Sequence, residues 1–244
     1  MSSALLPTFQ KFENDAISQD IIESAAALCS TNYGVWGPGA ELNAGAFAKP
    51  GRRVRMSAAK LRAECLPTGA RTTYVRAKIG DELIGNVLAC RWQYQGRSIC
   101  WITQLVVSST YRKRGVATRM LTELQEGEPK RAFGILSSHP AAILATLRAF
   151  GRGIEDVDLS MTQEHANAIM KISPVRYVHT ATLRGSLFGN NKADGVISSA
   201  NTNFWVDHQE PVEALEEVRK RGVIWPFGDL LEGHEYLVIL EGQT

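Results

Sequence analysis

Three β-like runs joined by two-residue turns, spanning residues 72–107, restrict the fold of this chain more than any other feature. TTYVRAKI (72–79) meets ELIGNVLACRWQYQ (82–95) across Gly80-Asp81, and that run meets SICWITQLVV (98–107) across Gly96-Arg97. Connections this short close antiparallel hairpins, because a parallel pair needs a crossover of a dozen residues or more. The third run is almost continuously apolar, the pattern of a strand covered on both faces, and belongs near the middle of the sheet. Gly85 interrupts the second run.

Directly after the third run the chain changes character. Arg112-Lys113-Arg114 precede Gly115-Val116-Ala117, and a helix is expected from about Gly115 to Leu124 with Val116, Met120, Leu121 and Leu124 inward. A basic patch, a solvated helix start and a phosphate cradle compete to explain this turn. Helix-start amides lack intrahelical acceptors and carry the positive end of the dipole, so a tight turn can converge them on a phosphate. Glycine removes the Cβ from that approach, and arginine or lysine adds charge-assisted donors. A Walker reading fails because no Gly-Lys-Ser/Thr follows a longer glycine loop. A Rossmann reading fails because the upstream strands form a meander. Three charges are a small footprint for nucleic acid, which leaves the phosphate cradle ahead.

The flanks supply further elements. Residues 15–30 place Ile17, Ile21, Ile22, Ala25 and Leu28 on one helical face, and Ser57 is suited to cap a short helix ended by Pro67 and Gly69. Between them, residues 31–51 are rich in glycine and read as a loop in which Tyr33, Trp36 and Phe47 either plug the core or line a pocket. RAFGILSS (131–138) is a fourth strand, and Pro140 opens a helix reaching Gly151. Beyond it TQEHANAIMKI reads as helix, VRYVHTATL as strand, and residues 185–203 as a mobile loop. FWVDH (204–208) reads as strand, PVEALEEVRKRG as a capped helix, and EYLVIL (235–240) as the last strand. The sum is α+β.

Bulk properties exclude several classes. A net charge of +2 announces neither a nucleic-acid nor a membrane partner. Cys29, Cys65, Cys90 and Cys100 show no C-x-x-C spacing, so zinc and thioredoxin-like chemistry are weak readings and reduced thiols are expected. The first twenty residues lack a basic and an apolar signal region, and no run approaches a membrane span, so a cytoplasmic protein is expected.

Arg112-Lys113-Arg114-Gly115-Val116-Ala117 matches the (Q/R)-x-x-G-x-(G/A) acyl-CoA-binding motif of the GCN5-related N-acetyltransferases (GNAT). With Ile102, Leu105 and Val107 in the family's I-x-x-L-x-V strand pattern, and with the meander before it, residues 15–151 resemble that family. The resemblance implies a single GNAT-like domain over 1–244: a mixed, mostly antiparallel, splayed central sheet flanked by helices, with an elaborated C-terminal part. The core would be about 15–151 plus 204–242, with 152–203 as an insertion or lid. It implies acetyl-CoA or another acyl-CoA as co-substrate, no metal, and transfer to a primary amine in a ternary complex. Lys49, Arg52, Arg53 and Arg55 crowd the early loop against Glu41, which favours a small acceptor carrying its own negative group unless these residues reach the CoA phosphates or face solvent. A homodimer is left open.

The resemblance assigns the pantetheine arm to the backbone of Leu105, Val106 and Val107. The pyrophosphate falls to Arg112, Lys113, Arg114, Gly115, Val116, Ala117 and Thr118. Where some members carry a glutamate base this chain has Gln104, which can position a water but accepts no proton. Where many carry an acid tyrosine stands Thr146, or Leu147 with a one-residue slip. His139 at a strand end is the remaining candidate for proton transfer, against a capping role, and Asp207 and His208 are more distant ones. Tyr33 and Trp36 are candidates for the acceptor side. A catalytically silent acyl-CoA-binding relative is the alternative to an enzyme.

Overall fold

The computed structural model describes residues 6–125, 131–151, 153–189 and 194–242. Residues 1–5 of the N-terminal stretch and 190–193 of the expected mobile loop lie outside them. The expected hairpins form β2 (Arg71–Ile79), β3 (Glu82–Tyr94) and β4 (Arg97–Val107). With β1 (Thr8–Glu13), β5 (Arg131–Ser137), β6 (Thr182–Arg184), β7 (Ser199–Asn201) and β8 (His234–Glu241) they make one eight-stranded sheet, ordered β1-β2-β3-β4-β5-β8-β7-β6. β4 lies inside the sheet, as its apolar run requires, and β4–β5 is the parallel pair among antiparallel neighbours. The fold is α+β, with one mixed, mostly antiparallel sheet flanked by helices.

Helices cover both faces. On one side lie α1 (Gln19–Asn32), α3 (Ala58–Cys65), α6 (Ser160–Lys171) and α7 (Arg176–Thr180). On the other lie α4 (Val116–Thr122), α5 (Pro140–Phe150) and α8 (Gln209–Lys220). Local chemistry sets their starts: the hydroxyls of Ser18 and Ser57 accept from the amides of Ile21 and Lys60. Pro140 sits at the first turn of α5, where no helical donor is lost. Side chains such as Leu61, Leu88 and Ile143 are fully buried, each worth about 1.5–3 kcal/mol of transfer free energy.

Two expectations change. VRYVHTATL is α7 followed by the short β6, because Val175 and Val178 share a helical face and both are buried. FWVDH contributes only an isolated bridge, Trp36 to Val206. Within the expected insertion or lid, the described residues supply α6, α7, β6 and β7, and β7 pairs with β8 inside the sheet. The early loop also contains a short helix, α2 (Ala40–Ala44), and β1 was not anticipated.

One close approach holds the centre. Gly134 of β5 sits opposite Trp101 of β4, and a Cβ there would stand 2.3 Å from the indole. The Gly134→Ala variant must displace a fully buried Trp101, so stability should fall by about 1–3 kcal/mol in chemical denaturation.

Candidate functional site

The β4–β5 ladder stops at Ile102↔Ile135, although β4 continues to Val107. At the same level, β4 carries a bulge: Leu88 pairs with Gln104 and Ala89 with Ile102, so Thr103 is the extra residue. A bulge bends its strand and re-aims the residues after it. The Thr103 carbonyl accepts from the Tyr177 hydroxyl at 3.3 Å and the Cys65 thiol at 3.7 Å, while the Thr103 hydroxyl donates to the Cys65 carbonyl. Past the bulge, Thr103–Val107 have no strand partner on the β5 side, and a cleft opens between the two strands.

The bulge also sorts side chains. Leu105 and Val107 pack towards α4 and α5, whereas Gln104 and Val106 turn towards α1. Gln104 is buried, donating from Nε2 to Cys29 Sγ at 3.2 Å and accepting on Oε1 from Asn86 at 3.1 Å. Burial, then the charge of Glu64, pushes the Cys29 thiol up to about 12, so this neighbour is a neutral thiol.

At the far end of the cleft the basic turn takes an unusual path. Lys113 has φ 60° and Gly115 φ 77°, both left-handed, before α4 begins at Val116. Alternation of this kind points successive amides into one concavity. Space beside Gly115 is open, so a Cβ there meets no atom but needs a strained backbone. Arg112 is engaged elsewhere than expected. Its guanidinium holds the Asn32 carbonyl and Glu210, and Nε donates to the Val107 carbonyl at 3.3 Å. That side chain therefore staples the turn to α1 and α8, leaving its backbone to face the concavity. Lys113 lies 4.0 Å from Glu217, and Arg114 stacks over Tyr111 at 5.4 Å.

The candidates for proton transfer are all occupied. His139 caps α5, its Nδ1 accepting from the Ala141 amide at 3.1 Å, and its Nε2 faces Glu210 at 3.7 Å. That imidazole and Arg112 hold the Glu210 carboxyl down at about 2. Thr146 is fully buried inside α5 and donates to the Ala142 carbonyl, so it packs rather than reaching the cleft. Asp207 caps α8 through the Gln209 amide, and burial lowers the His208 imidazole. Trp36 is a plug, packed with Ala40, Ala48, Val54 and Val206. Tyr33 beside it is half-buried and stands near Phe204.

One residue was missed. Glu235, at the start of β8, is 5% exposed and has no ion pair among the described residues. Burial pushes its carboxyl up to about 7, with the Thr202 hydroxyl pulling the other way. Its charge reaches the phenols of Tyr33 and Tyr177, both held well above their usual range chiefly by burial. Read along the chain it was only the first letter of a strand. A charged residue heading a run that is otherwise fully apolar (YLVIL) was the available signal.

The segment 43–138 matches the model of the acetyltransferase (GNAT) family. The match spans the early loop, the meander, the basic turn and β5, so it contains both walls of the cleft. No curated protein matches the chain by sequence. Among solved structures, an aminoglycoside acetyltransferase from an uncultured soil metagenomic sample is 11% identical, covering 52% of this chain and 76% of its own, with a TM-score of 0.34. The ribosomal-protein-S18-alanine N-acetyltransferase from Escherichia coli is 11% identical over 57% and 74%, at 0.36. The PaiA N-acetyltransferase from Thermoplasma acidophilum, in complex with coenzyme A, is 10% identical over 52% and 79%, at 0.31. Among the described residues no cluster of three His, Cys, Asp or Glu is placed to hold a metal ion, and no helix is long and apolar enough to cross a membrane.

The Glu235 environment has a consequence for stability. Its folded pKa of about 7 lies above the usual carboxylate value, so the native state binds the proton more tightly than the unfolded chain. Stability contributed here is present below the unfolded pKa and is lost as pH rises towards 7. Glu235→Gln should therefore gain stability relative to the wild type across that window, by up to about 3 kcal/mol, and level off above it. Urea midpoints between acid and mildly alkaline pH check this.

Proposed function

We propose that this chain transfers an acetyl or short acyl group from acyl-CoA to the primary amine of a small molecule. The observation that carries the reading is the cleft made where β4 leaves β5 at the Thr103 bulge, leading to the left-handed turn at Lys113–Gly115. An unpaired, extended strand edge seeks partners for its N–H and C=O groups, and the amides of a pantetheine arm are chemically suited to Leu105, Val106 and Val107. The concave amides from Lys113 to Thr118 suit the pyrophosphate.

Within that arrangement the acceptor amine attacks the thioester carbonyl directly. The amide of Val106, or one beside it, would steady the oxyanion, and the departing thiolate would take a proton. Holding both substrates in one cleft supplies much of the rate, since the thioester is already reactive. A small acceptor fits the enclosed side of the cleft, where Tyr33, Tyr177 and Gln104 converge. The silent acyl-CoA-binding reading draws on one observation, the locking of the Gln104 amide between Asn86 and Cys29.

Release of CoA thiol from acetyl-CoA with pooled primary amines separates the two. Turnover supports the enzyme, while tight acetyl-CoA binding with no release for any amine favours the silent protein. Gly115→Glu places a carboxylate on a strained backbone at the phosphate concavity and should weaken acetyl-CoA binding more than about tenfold, or 1.4 kcal/mol, by calorimetry. Unchanged affinity would refute the cradle.

A further inference from the structure

The geometry points to Glu235 as the group that receives the acceptor's ammonium at the inner wall of the cleft and takes its proton before attack. This inference rests on the acyltransferase reading and names both the charge class of the acceptor and the base that the usual strand position lacks.

Placement comes first. Beyond Ile102↔Ile135 the sheet is open, and Ser137 at the end of β5 pairs with Tyr236 of β8. Glu235 is the next residue outward, one step past the last β5–β8 pair, with Ala200 of β7 opposite it. Along β8, Tyr236 and Val238 enter the core beneath α4 and α5, whereas Leu237 and Ile239 pack with α6 and α7. Alternation puts Glu235 on the α7 side. Gln104 turns to the same side of the sheet, towards α1. The Glu235 carboxyl and Gln104 thus lie on the same side of the sheet.

The second observation is the buried polar surroundings of Glu235 and Gln104. Asn86 Oδ1 is buried without a hydrogen-bond partner among the described residues, while Trp101 and Thr202 reach Tyr177 and Glu235. Asn86 and Trp101 are fully buried side chains, and such atoms are normally paired. Asn86 adjoins Gln104, Trp101 adjoins Tyr177, and Thr202 adjoins Glu235. The titratable groups facing Glu235 are Tyr33 from the end of α1 and Tyr177 from α7, both neutral, with Glu64, Cys29 and Cys65 behind them. No cation on the described chain meets the carboxylate, and an alkylammonium would.

The step balances. The ammonium gives one proton to the Glu235 carboxylate, and the freed lone pair forms the C–N bond at the thioester carbonyl. Collapse of the tetrahedral intermediate breaks the C–S bond, and the second nitrogen proton ends on the thiolate sulfur. Glu235 then returns its proton to solvent. Products are the amide, CoA thiol and one proton.

The test compares wild type, Glu235→Gln and Glu235→Asp for acetyl-CoA affinity by calorimetry and for CoA release with the amine pool. Wild-type kcat/KM should rise with pH through about 7, the carboxylate form being the active one. Glu235→Gln should keep acetyl-CoA affinity, lose kcat/KM about 10²–10⁴-fold and lose that acid limb, while Glu235→Asp keeps the limb at reduced rate. An active Glu235→Gln enzyme with an unchanged pH profile would overturn the inference and leave the acyltransferase reading standing. Joint loss of acetyl-CoA binding and turnover would also overturn it, making Glu235 a packing residue. A wild type that binds acetyl-CoA but releases no CoA sinks the acyltransferase reading itself.

Discussion

The one-residue bulge at Thr103 is the constraint on which the rest of this molecule turns. Before it, β4 is an ordinary interior strand, paired on both sides. After it, the strand bends away from β5 and shows an unpaired edge. An unmet strand edge at the middle of a sheet is costly unless something polar completes it. The protein fixes the bulge from outside the sheet, through the Tyr177 hydroxyl and the Cys65 thiol on the Thr103 carbonyl. Residues from α3 and α7 thereby hold open a cleft made by β4 and β5.

Both ends of that cleft are braced by contacts distant in sequence. Arg112 ties the turn before α4 to the end of α1 and the start of α8, so the basic run is as much a mechanical joint as a charge patch. At the other end β7 and β8 extend the sheet beyond β5. The segment between α5 and β8 therefore supplies the strand opposite Glu235, with Ala200 as its partner.

Much of the fold was legible along the chain. The turns Gly80-Asp81 and Gly96-Arg97 dictated the hairpins, the caps Ser57 and Pro140 marked helix starts, and the glycine turn lay where a helix mouth needed it. These are local effects, set by φ preferences and short-range hydrogen bonds. The misreadings fell where locality fails. VRYVHTATL carries β-branched residues that favour a strand, but burial of Val175 and Val178 on one side outweighed propensity. For His139 the chain left proton transfer and capping both open, and in the fold its Nδ1 caps α5.

By itself, then, the sequence determined the antiparallel meander, the interior position of β4 and the left-handed turn before α4, because each follows from turn length, apolar periodicity or the tolerance of glycine for positive φ. Tertiary structure alone decided which polar groups meet across the cleft. A carboxyl's character depends on what surrounds it in space, and Glu235 becomes a buried, unpaired acid only when β7, β8 and α7 close around it. Burial and charge act through distance, and strand pairing brings together residues that the chain keeps more than a hundred positions apart.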